Sequence, residues 1–419
     1  MVAVRPFRAL AVNPSVADSM VSLPYDVMNS QEAAQMVQGG RNQFLHVSRP
    51  EIDMPEGADS HSPQAYAQSK AALDALVADG SFVRSDVPVM YAMRQTMGDL
   101  VQIGLVASAS VDDYDRTDIR IHEFTRPDKE LDRVNHIDSV GAHDEPVFLT
   151  YRADDVIASI VAEAMAGPSV IDVTADDGIR HELWLIADAS ILAELVEAFE
   201  FIPRTYVADG HHRSAAASVV RKRRKGDVPP KDPATKGLEF ADGLDGFLAV
   251  LVPTNSVNVM PYNRVVQDLA GKSFDEFLAE LEKVVIIESI DAALAPIEQH
   301  VFGMYAAGQW YRCRFTQAAP DASNPLEMLD VSLLQNQVLG PILAIDDPRT
   351  STRISFVGGI RGTDELERLV NEGAAVAFSM PPTSVLDLME VADIGEVMPP
   401  KSTWFEPKLP SGLVIHPFA

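Results

Sequence analysis

The sequence predicts a mixed α/β protein in which helices and strands follow one another along most of its 419 residues. Between residues 63 and 80, apolar side chains recur at helical spacing. Strand-like runs at residues 87–95 and 100–110 flank a Gly-Asp pair, a pattern typical of a β-hairpin. Residues 204–226 have the pattern of a strand, a tight loop and a helix. At this length we expect more than one domain.

The first of three predicted regions is an N-terminal α/β region over residues 1–112. Its elements in chain order are an extended run at 5–12, a turn at 22–27, a helix at 30–40, an apolar run at 43–47, the helix at 63–80 and the hairpin at 87–110. Within this region Asp26, His46, Arg49 and Glu51 stand at the ends of elements. We expect them to stabilise turns rather than to catalyse.

The second region, residues 113–262, is predicted to carry the functional site. Its elements are a charged helix around 130–141, a strand at 146–151, a hairpin pair at 169–174 and 181–187, a helix at 190–200, the strand, loop and helix at 204–226, and a buried strand at 246–254. Residues 226–243 are rich in Pro, Gly and charge, which predicts an exposed loop able to act as a mobile lid.

The third region, residues 263–419, is predicted as a C-terminal α/β region that folds back over the site. Its elements are a helix at 273–284, strands at 300–308 and 309–316, a helix at 332–343, a strand at 354–359, a helix at 363–373 and a tail of alternating strand, helix and Pro-rich loop.

Charge and composition narrow the function classes. The formal net charge of −27 makes wide contact with a nucleic-acid backbone unfavourable, because such binding needs Lys and Arg at phosphates. The basic run at residues 221–225 is interpreted first as a solvated helix end and second as a phosphate-steering patch. Neither a signal-peptide core nor an apolar run of membrane-spanning length stands out, so we expect a cytoplasmic protein without a membrane partner. Cys313 is the single cysteine and is expected to be a buried, inert thiol.

The most informative segment is the loop that carries Asp209, Gly210, His211, His212 and Arg213. Glycine permits a tight turn, and the free N–H groups of the helix start that follows form an anion site. The histidines and the arginine add donors beside it. A phosphate-handling loop is therefore predicted.

Two other interpretations of this loop remain open. Asp209 could serve only as a helix cap in an Asx-type turn, with the histidines at the surface. A zinc site is disfavoured because His211 and His212 are adjacent, lack the i, i+4 spacing of two ligands on one helical face, and have no cysteine partners.

Two further polar segments are candidates. Glu123 follows His122 in a dense polar stretch before a helix, where a carboxylate could act as a base toward a substrate hydroxyl. Lys401, Ser402 and Thr403 follow two prolines and offer one charge and two hydroxyl donors to a phosphate. For the first segment a solvated loop is the alternative, and for the second a rigid connection capped by Ser402.

These three segments, HE, DGHHR and PPKST, resemble motifs of the free serine kinases of the ParB/sulfiredoxin-like superfamily. The whole chain, including RPFRAL, LPYDV, FLHVSRPE, GAHDEPVFLTY and FEPKLPSGLVIHP, also resembles a bacterial and archaeal family without an assigned function. The resemblance implies a ParB/sulfiredoxin-like nucleotide-binding core in the second region. It also implies ATP or ADP with Mg²⁺, and L-serine or O-phosphoserine as the small-molecule substrate. The N-terminal 110 residues or so have no counterpart in those kinases.

The resemblance also implies roles for individual residues. Glu123 would be the base, Asp209 a helper or metal-proximal acid, and His211, His212 and Arg213 the phosphate cradle around Gly210, with His211 close to the chemistry. Lys401, Ser402 and Thr403 would be further phosphate contacts. The predicted activity is phosphoryl transfer to the hydroxyl of a small metabolite, as in serine biosynthesis. A phosphoserine phosphatase and a non-catalytic nucleotide-binding regulator are the alternatives.

Overall fold

A computed structural model of the chain describes residues 1–55, 57–227, 240, 242–316 and 323–418. The chain forms two compact units. Unit 1 comprises Met1–Val257 and Pro407–Ala419, and unit 2 comprises Asn258–Glu406. Residues 1–257 of the first two expected regions therefore lie in unit 1, residues 258–262 lie in unit 2, and the third region is divided between the units.

Unit 1 alternates strands and helices. Its first strands are β1 (Val4–Arg5), β2 (Leu10–Val12), β3 (Phe82–Arg84), β4 (Met90–Met97), β5 (Leu100–Ser110), β6 (Ile119–Arg120), β7 (Ala142–His143), β8 (Val147–Tyr151), β9 (Ile171–Thr174), β10 (Arg180–Ile186), β11 (Thr205–Asp209) and β12 (Gly246–Pro253). Its helices are α1 (Ala17–Met20), α2 (Ser30–Met36), α3 (Leu45–Ser48), α4 (Pro63–Ala78), α5 (Val111–Asp115), α6 (Pro127–Val140), α7 (Asp155–Ala164), α8 (Ala189–Glu200) and α9 (His211–Lys225).

Unit 2 follows the same alternation. Its strands are β13 (Val259–Met260), β14 (Tyr262–Val266), β15 (Val285–Ile290), β16 (Val301–Ala306), β17 (Gln309–Phe315), β18 (Ile354–Gly358), β19 (Val376–Ser379) and β20 (Trp404–Phe405). Its helices are α10 (Phe274–Leu281), α11 (Pro325–Met328), α12 (Asp330–Leu334), α13 (Asp364–Asn371) and α14 (Val385–Asp393). The chain then returns to unit 1 and adds β21 (Val414–Pro417).

The large sheet of unit 1 has the order β6-β11-β8-β12-β5-β4-β10-β9, with β1 paired to β5. The hairpin predicted between residues 87 and 110 is confirmed by the antiparallel pair β4 and β5, and the predicted pair around Gly178 by β9 and β10. Strand β12 is buried along its first seven residues, as its apolar run predicts. Helices α7 and α8 add apolar side chains to the same core, among them Ile157, Leu195 and Phe199.

The candidate site lies at one edge of this sheet, where strands β6 and β11 end and strand β8 begins. Strands β6 and β11 are parallel neighbours, with Thr205 opposite Ile119. Strand β8 runs antiparallel to β11, with Asp209 opposite Phe148. The ends of β6 and β11 and the start of β8 therefore lie at one edge.

A smaller sheet in unit 1 joins distant parts of the chain. Its order is β3-β2-β21-β7, so the C-terminal strand pairs with the N-terminal region and with the strand that precedes Asp144. Residues 407–418 thereby belong to the same unit as the DGHHR loop.

Unit 2 has its own sheet of order β15-β17-β16-β19-β14-β18. Cys313 lies on β17 and is fully buried, and burial raises the pKa of its thiol to about 12. The expected inert cysteine agrees with this environment.

The mixed α/β class is confirmed. Most of the predicted lid, residues 226–243, lies outside the described residues. None of the helices within the described ranges is long and apolar enough to cross a membrane.

Candidate phosphate-handling site

Adjacent parallel strands bring the first two sequence motifs together. Strand β6 leads into His122 and Glu123, and strand β11 leads into the loop at Gly210. The rings of His122 and His211 contact edge to face, with centroids 4.5 Å apart. The HE and DGHHR motifs therefore meet at one sheet edge, although almost ninety residues separate them.

Gly210 makes the sharp turn from strand to helix. Its φ of +94° lies in the left-handed region, and a Cβ there would stand 3.0 Å from the Nε atom of Arg213. No side chain among the described residues caps the start of α9 at this N-cap glycine. The alternative in which Asp209 caps the helix is not what the structure has, since the Asp209 Oδ1 atom accepts the Gly210 N–H at 2.8 Å instead. The helix start thus keeps its anion-binding character.

Asp209 is held as an ionised carboxylate. Its Oδ2 atom accepts a hydrogen bond from Lys408 Nζ at 3.0 Å, and its Oδ1 atom lies 3.9 Å from Arg213 Nη2. Burial raises the pKa of this carboxyl, but the Lys408 and Arg213 charges outweigh it and hold the pKa well below its usual value. Asp209 is therefore a fixed negative charge beside the helix start.

Arg213 is buried beneath the loop. Its Nη1 group donates to the carbonyl of Pro146, the residue before β8. The side chain is 7% exposed, and its charge also acts on Glu145. In this position Arg213 fixes the loop against β8 and adds positive charge from below.

His122 and His211 are both buried and neutral. Burial lowers the pKa of His122 to about 4, against the opposing effects of a hydrogen bond to the backbone of Val207 and of the Asp209 charge. Burial also lowers the pKa of His211 well below its usual value, and His122 lowers it further. Neutral imidazoles offer lone pairs, so this pair can bind a proton donor or a metal ion.

The second histidine of the motif fixes the segment after Glu123. His212 Nε2 accepts the backbone N–H of Arg126 at 3.0 Å, and burial lowers the pKa of His212. Glu123 itself is exposed at the same edge. Its carboxylate is thus accessible to a substrate, while His211 and His212 hold the chain on either side of it.

A buried carboxylate that the sequence analysis did not single out lies beside the loop. Glu145 Oε1 accepts the backbone N–H of Tyr25 at 3.0 Å, and its Oε2 atom has no hydrogen-bond partner among the described residues. Burial raises the pKa of Glu145 to about 7, opposed by Arg213 and Arg133 and reinforced by Asp144. Glu145 therefore holds its proton to higher pH than an ordinary carboxyl does.

The neighbours of Glu145 form a compact ionic group. Arg133 lies over the ring of Tyr25 at 3.8 Å and pairs with Asp132, and His136 Nε2 lies 2.8 Å from Asp144 Oδ2. The LPYDV segment is thereby part of the surroundings of the site. Its turn is braced by Arg49, which donates to the carbonyl of Tyr25 at 2.7 Å, in agreement with the structural role expected for Arg49.

The PPKST segment belongs to unit 2. Ser402 Oγ donates to the carbonyl of Pro399 at 2.6 Å, and Thr383 Oγ1 donates to the carbonyl of Ser402 at 3.0 Å. Lys401 Nζ lies 5.5 Å from the centre of the Tyr262 ring. Phosphate contacts by Lys401, Ser402 and Thr403 stay a prediction, whereas the lysine that pairs with Asp209 within unit 1 is Lys408.

The basic run at the end of α9 has carboxylate partners. Arg221 pairs with Asp112 at 2.6 Å and with Asp115 at 3.0 Å, and Arg224 pairs with Asp138 at 2.6 Å. These contacts favour the interpretation of the run as a helix end over that of a phosphate-steering patch.

Sequence reasoning missed Glu145, Tyr25 and Lys408. One signal was present for Glu145, since two carboxylates and a proline directly precede an apolar strand. No local pattern marks Lys408, because its role depends on the return of the chain to unit 1.

This fold and site define a mixed α/β protein with an open helix start, a fixed carboxylate and a histidine pair at one sheet edge. The chain belongs to the family described as "Protein of unknown function (DUF1015)", which it matches over residues 4–332. The resemblance to a family without an assigned function is thereby confirmed over most of the chain. No curated protein matches the chain.

Several solved structures are distantly similar. A free serine kinase in complex with AMP is 12% identical, with 74% of this chain and 91% of that chain covered and a TM-score of 0.35. SbnI with a C-terminal truncation from Staphylococcus aureus is 12% identical, with 75% and 87% covered and a TM-score of 0.40. A conserved hypothetical protein from Pyrococcus furiosus is 12% identical, with 74% and 94% covered and a TM-score of 0.34. Similarity at this level assigns neither an activity nor a ligand to this chain.

Proposed function

We propose that this protein is a nucleotide-dependent phosphotransferase that acts on the hydroxyl group of a small metabolite, with free L-serine as the first candidate. The observation that carries the proposal is the meeting of two motifs at one sheet edge. An accessible carboxylate, Glu123, lies beside the start of α9, which no described side chain caps. Phosphoryl transfer needs little more than positioned charges and an oriented hydroxyl.

In this proposal the nucleotide phosphates bind at the start of α9. The N–H groups that follow Gly210 would donate to phosphate oxygens, while His211 and His212 line the loop and Arg213 supplies charge from below. Lys401, Ser402 and Thr403 are proposed as further phosphate contacts. Mg²⁺ would accompany the ATP or ADP, because oxygen-rich phosphates are its preferred partners.

The reaction balances with residues at this edge. The serine hydroxyl oxygen forms a bond to the terminal phosphorus of the nucleotide, and the bond from that phosphorus to the bridging oxygen breaks. The hydroxyl proton goes to Glu123, and the electron pair of the broken bond stays on the departing nucleotide. Asp209 remains ionised throughout, because Lys408 and Arg213 stabilise its charge. It would orient the donors around it and remain close to any metal.

The activity test uses the purified full-length protein with Mg²⁺, L-serine and either ATP or ADP. Formation of O-phosphoserine, followed by phosphorus NMR or mass spectrometry, is the expected result. Release of phosphate from O-phosphoserine without nucleotide would instead identify the alternative phosphatase. Nucleotide binding with no transfer in either direction would identify a regulator.

The Glu123→Gln variant tests the role of the base. A positioned base contributes about 10²- to 10⁴-fold, so turnover should fall by that factor while nucleotide affinity is nearly unchanged. Glu194→Gln, an exposed carboxylate on α8, is the matched control and should keep full turnover. Turnover of Glu123→Gln within about threefold of the wild type would reject Glu123 as the base, since that loss is under about 1 kcal/mol.

A further inference from the structure

Three side chains at the same sheet edge have the composition and spacing of a metal site. His122, Glu123 and His211 each place one ligand atom within 4.8 Å of the other two. Two of these ligands are buried imidazoles and the third is an exposed carboxylate. Two histidines and one carboxylate form a recurrent ligand set for catalytic divalent ions that keep open coordination positions.

The surroundings of the two imidazoles match those of metal ligands. The His122 ring is hydrogen-bonded to the backbone of Val207, and metal-binding histidines usually donate their second ring N–H to such a group. His211 Nε2 accepts the backbone N–H of His122 over 3.5 Å, a contact long enough to be weak. The ring centroids are 4.5 Å apart, and one nitrogen of each ring lies within 4.8 Å of the other and of a Glu123 oxygen, so one ion can lie between them.

We propose that His122, Glu123 and His211 together bind one divalent first-row transition-metal ion and leave at least one coordination position open. Imidazole ligands favour ions such as Zn²⁺, Co²⁺ and Fe²⁺ over Mg²⁺, which prefers oxygen. This ion is therefore distinct from the Mg²⁺ that would arrive with a nucleotide. The adjacent His211 and His212 do not form the site, and the partner of His211 is His122 from the segment that follows β6.

A catalytic role for this ion depends on the proposed phosphotransferase activity. The binding of the ion to the three side chains does not depend on that activity. In that reaction the open position would hold the acceptor hydroxyl and lower its pKa. A carboxylate has two oxygens, so Glu123 can give one to the ion and keep the other for the hydroxyl proton. The negative charge of Asp209 lies close enough to act on both imidazoles and would help to balance the ion.

The test measures binding of the metal alone to the full-length protein after treatment with a chelator. Equilibrium dialysis with Zn²⁺, Co²⁺ and Mg²⁺ should give one Zn²⁺ or Co²⁺ per chain and at least about 100-fold weaker Mg²⁺ binding. His211→Ala and Glu123→Gln should each weaken Zn²⁺ binding by about 100-fold or more, since loss of even an outer partner costs about 10- to 100-fold. Bound Co²⁺ should show absorption bands that change in these variants.

A surface histidine supplies the control. The two ring nitrogens of the half-exposed His61 lie 3.8 Å from Asp59 and 3.7 Å from Asp132, so His61 is the comparison site for adventitious binding. His61→Ala should leave Zn²⁺ affinity unchanged. Loss of binding in His61→Ala with retention in Glu123→Gln and His211→Ala would overturn the proposal, and so would Mg²⁺ binding as tight as Zn²⁺.

Two features keep this test decisive. His122 and His211 are buried, so their replacement disturbs packing, whereas Glu123 is exposed and Glu123→Gln reports on the site in a folded protein. Zn²⁺ binding that survives Glu123→Gln unchanged would reject the carboxylate ligand. Absence of Zn²⁺ binding alongside formation of O-phosphoserine would reject this inference alone, and specific Zn²⁺ binding without phosphoryl transfer would reject the proposed function alone.

Discussion

At the scale of single residues, Gly210 has the most restricted position in the site. Its positive φ allows the chain to turn from β11 into α9, and Arg213 lies directly against the place that a side chain would occupy. The DGHHR pattern predicted this turn, because few residues other than glycine adopt such a conformation without strain. The buried position of Arg213 could not be predicted from the pattern. Residue spacing does not show whether an arginine side chain points outward to a ligand or packs beneath the loop.

The Gly210→Ala variant should lose stability for two reasons. A non-glycine residue in the left-handed region costs about 1–2 kcal/mol, and the new methyl group would stand 3.0 Å from Arg213 Nε. Gly178→Ala is the matched control, because Gly178 has a φ of +81° and nothing within 4 Å of the added carbon. Urea unfolding should show a larger loss for Gly210→Ala than for Gly178→Ala. Equal losses would mean that Arg213 moves aside without cost.

At the scale of elements, the sequence predicted individual helices and strands better than their partners. Periodicity located α4, α8 and the hairpin of β4 and β5, because each has a clear apolar face or a clear turn. It could not show that β6 lies beside β11, since two residues of strand carry no periodic signal. That pairing places Glu123 beside His211. The meeting of these two residues could therefore not be predicted from local sequence patterns.

A buried ionic group joins helix α9 to helix α5. Arg221 is 3% exposed and pairs with Asp112 and Asp115 of α5. Without Arg221, Asp112 loses this partner, while Asp115 keeps its contacts with Lys222 and Ser218. Breaking a buried pair by removing one partner costs about 3–5 kcal/mol. We therefore expect Arg221→Met to lower the free energy of unfolding by that amount.

The same helix offers the control for this prediction. Arg223 is 41% exposed and lies 3.4 Å from Asp138, and an exposed pair contributes about 0–1 kcal/mol. Arg223→Met should accordingly be nearly neutral in the same denaturant titration. If the two variants lost equal stability, burial would not be the reason that Arg221 matters.

At the scale of the whole chain, residues distant in sequence complete the fold of unit 1. Strand β21 pairs with β2 and β7, and Lys408 reaches Asp209 from the same returning segment. From the sequence we expected the C-terminal region to approach the site through Lys401, and a phosphate contact by Lys401 stays a prediction. The pattern of prolines and hydroxyls gave no signal for Lys408, which lies seven positions further along.

Buried histidines make unit 1 sensitive to acid. Burial lowers the pKa of His143 to about 3, and that of His181 and His416 to about 4, from the usual 6.5. These groups stay neutral in the folded protein, whereas the unfolded chain binds protons as the pH falls below 6.5. Their contribution to stability is therefore complete above about pH 6.5 and is lost as the pH falls toward 4.

His416 allows this contribution to be isolated. Its Nε2 atom lies 2.9 Å from Ser108 Oγ and its ring stacks on Phe7, so glutamine can replace its size and its hydrogen bond in part. Between pH 7.5 and pH 5 the wild type should lose about 2 kcal/mol through this one group, because 1.5 units below the unfolded pKa correspond to that free energy. His416→Gln should lack this loss, so its stability should depend less steeply on pH.

The buried carboxyls of Glu145 and Asp113, whose raised pKa values act in the opposite direction, are present in both proteins and cancel in the difference. Urea titrations of both proteins at the two pH values measure this difference in pH dependence. Parallel pH profiles for the two proteins would show that His416 is not held neutral in the fold.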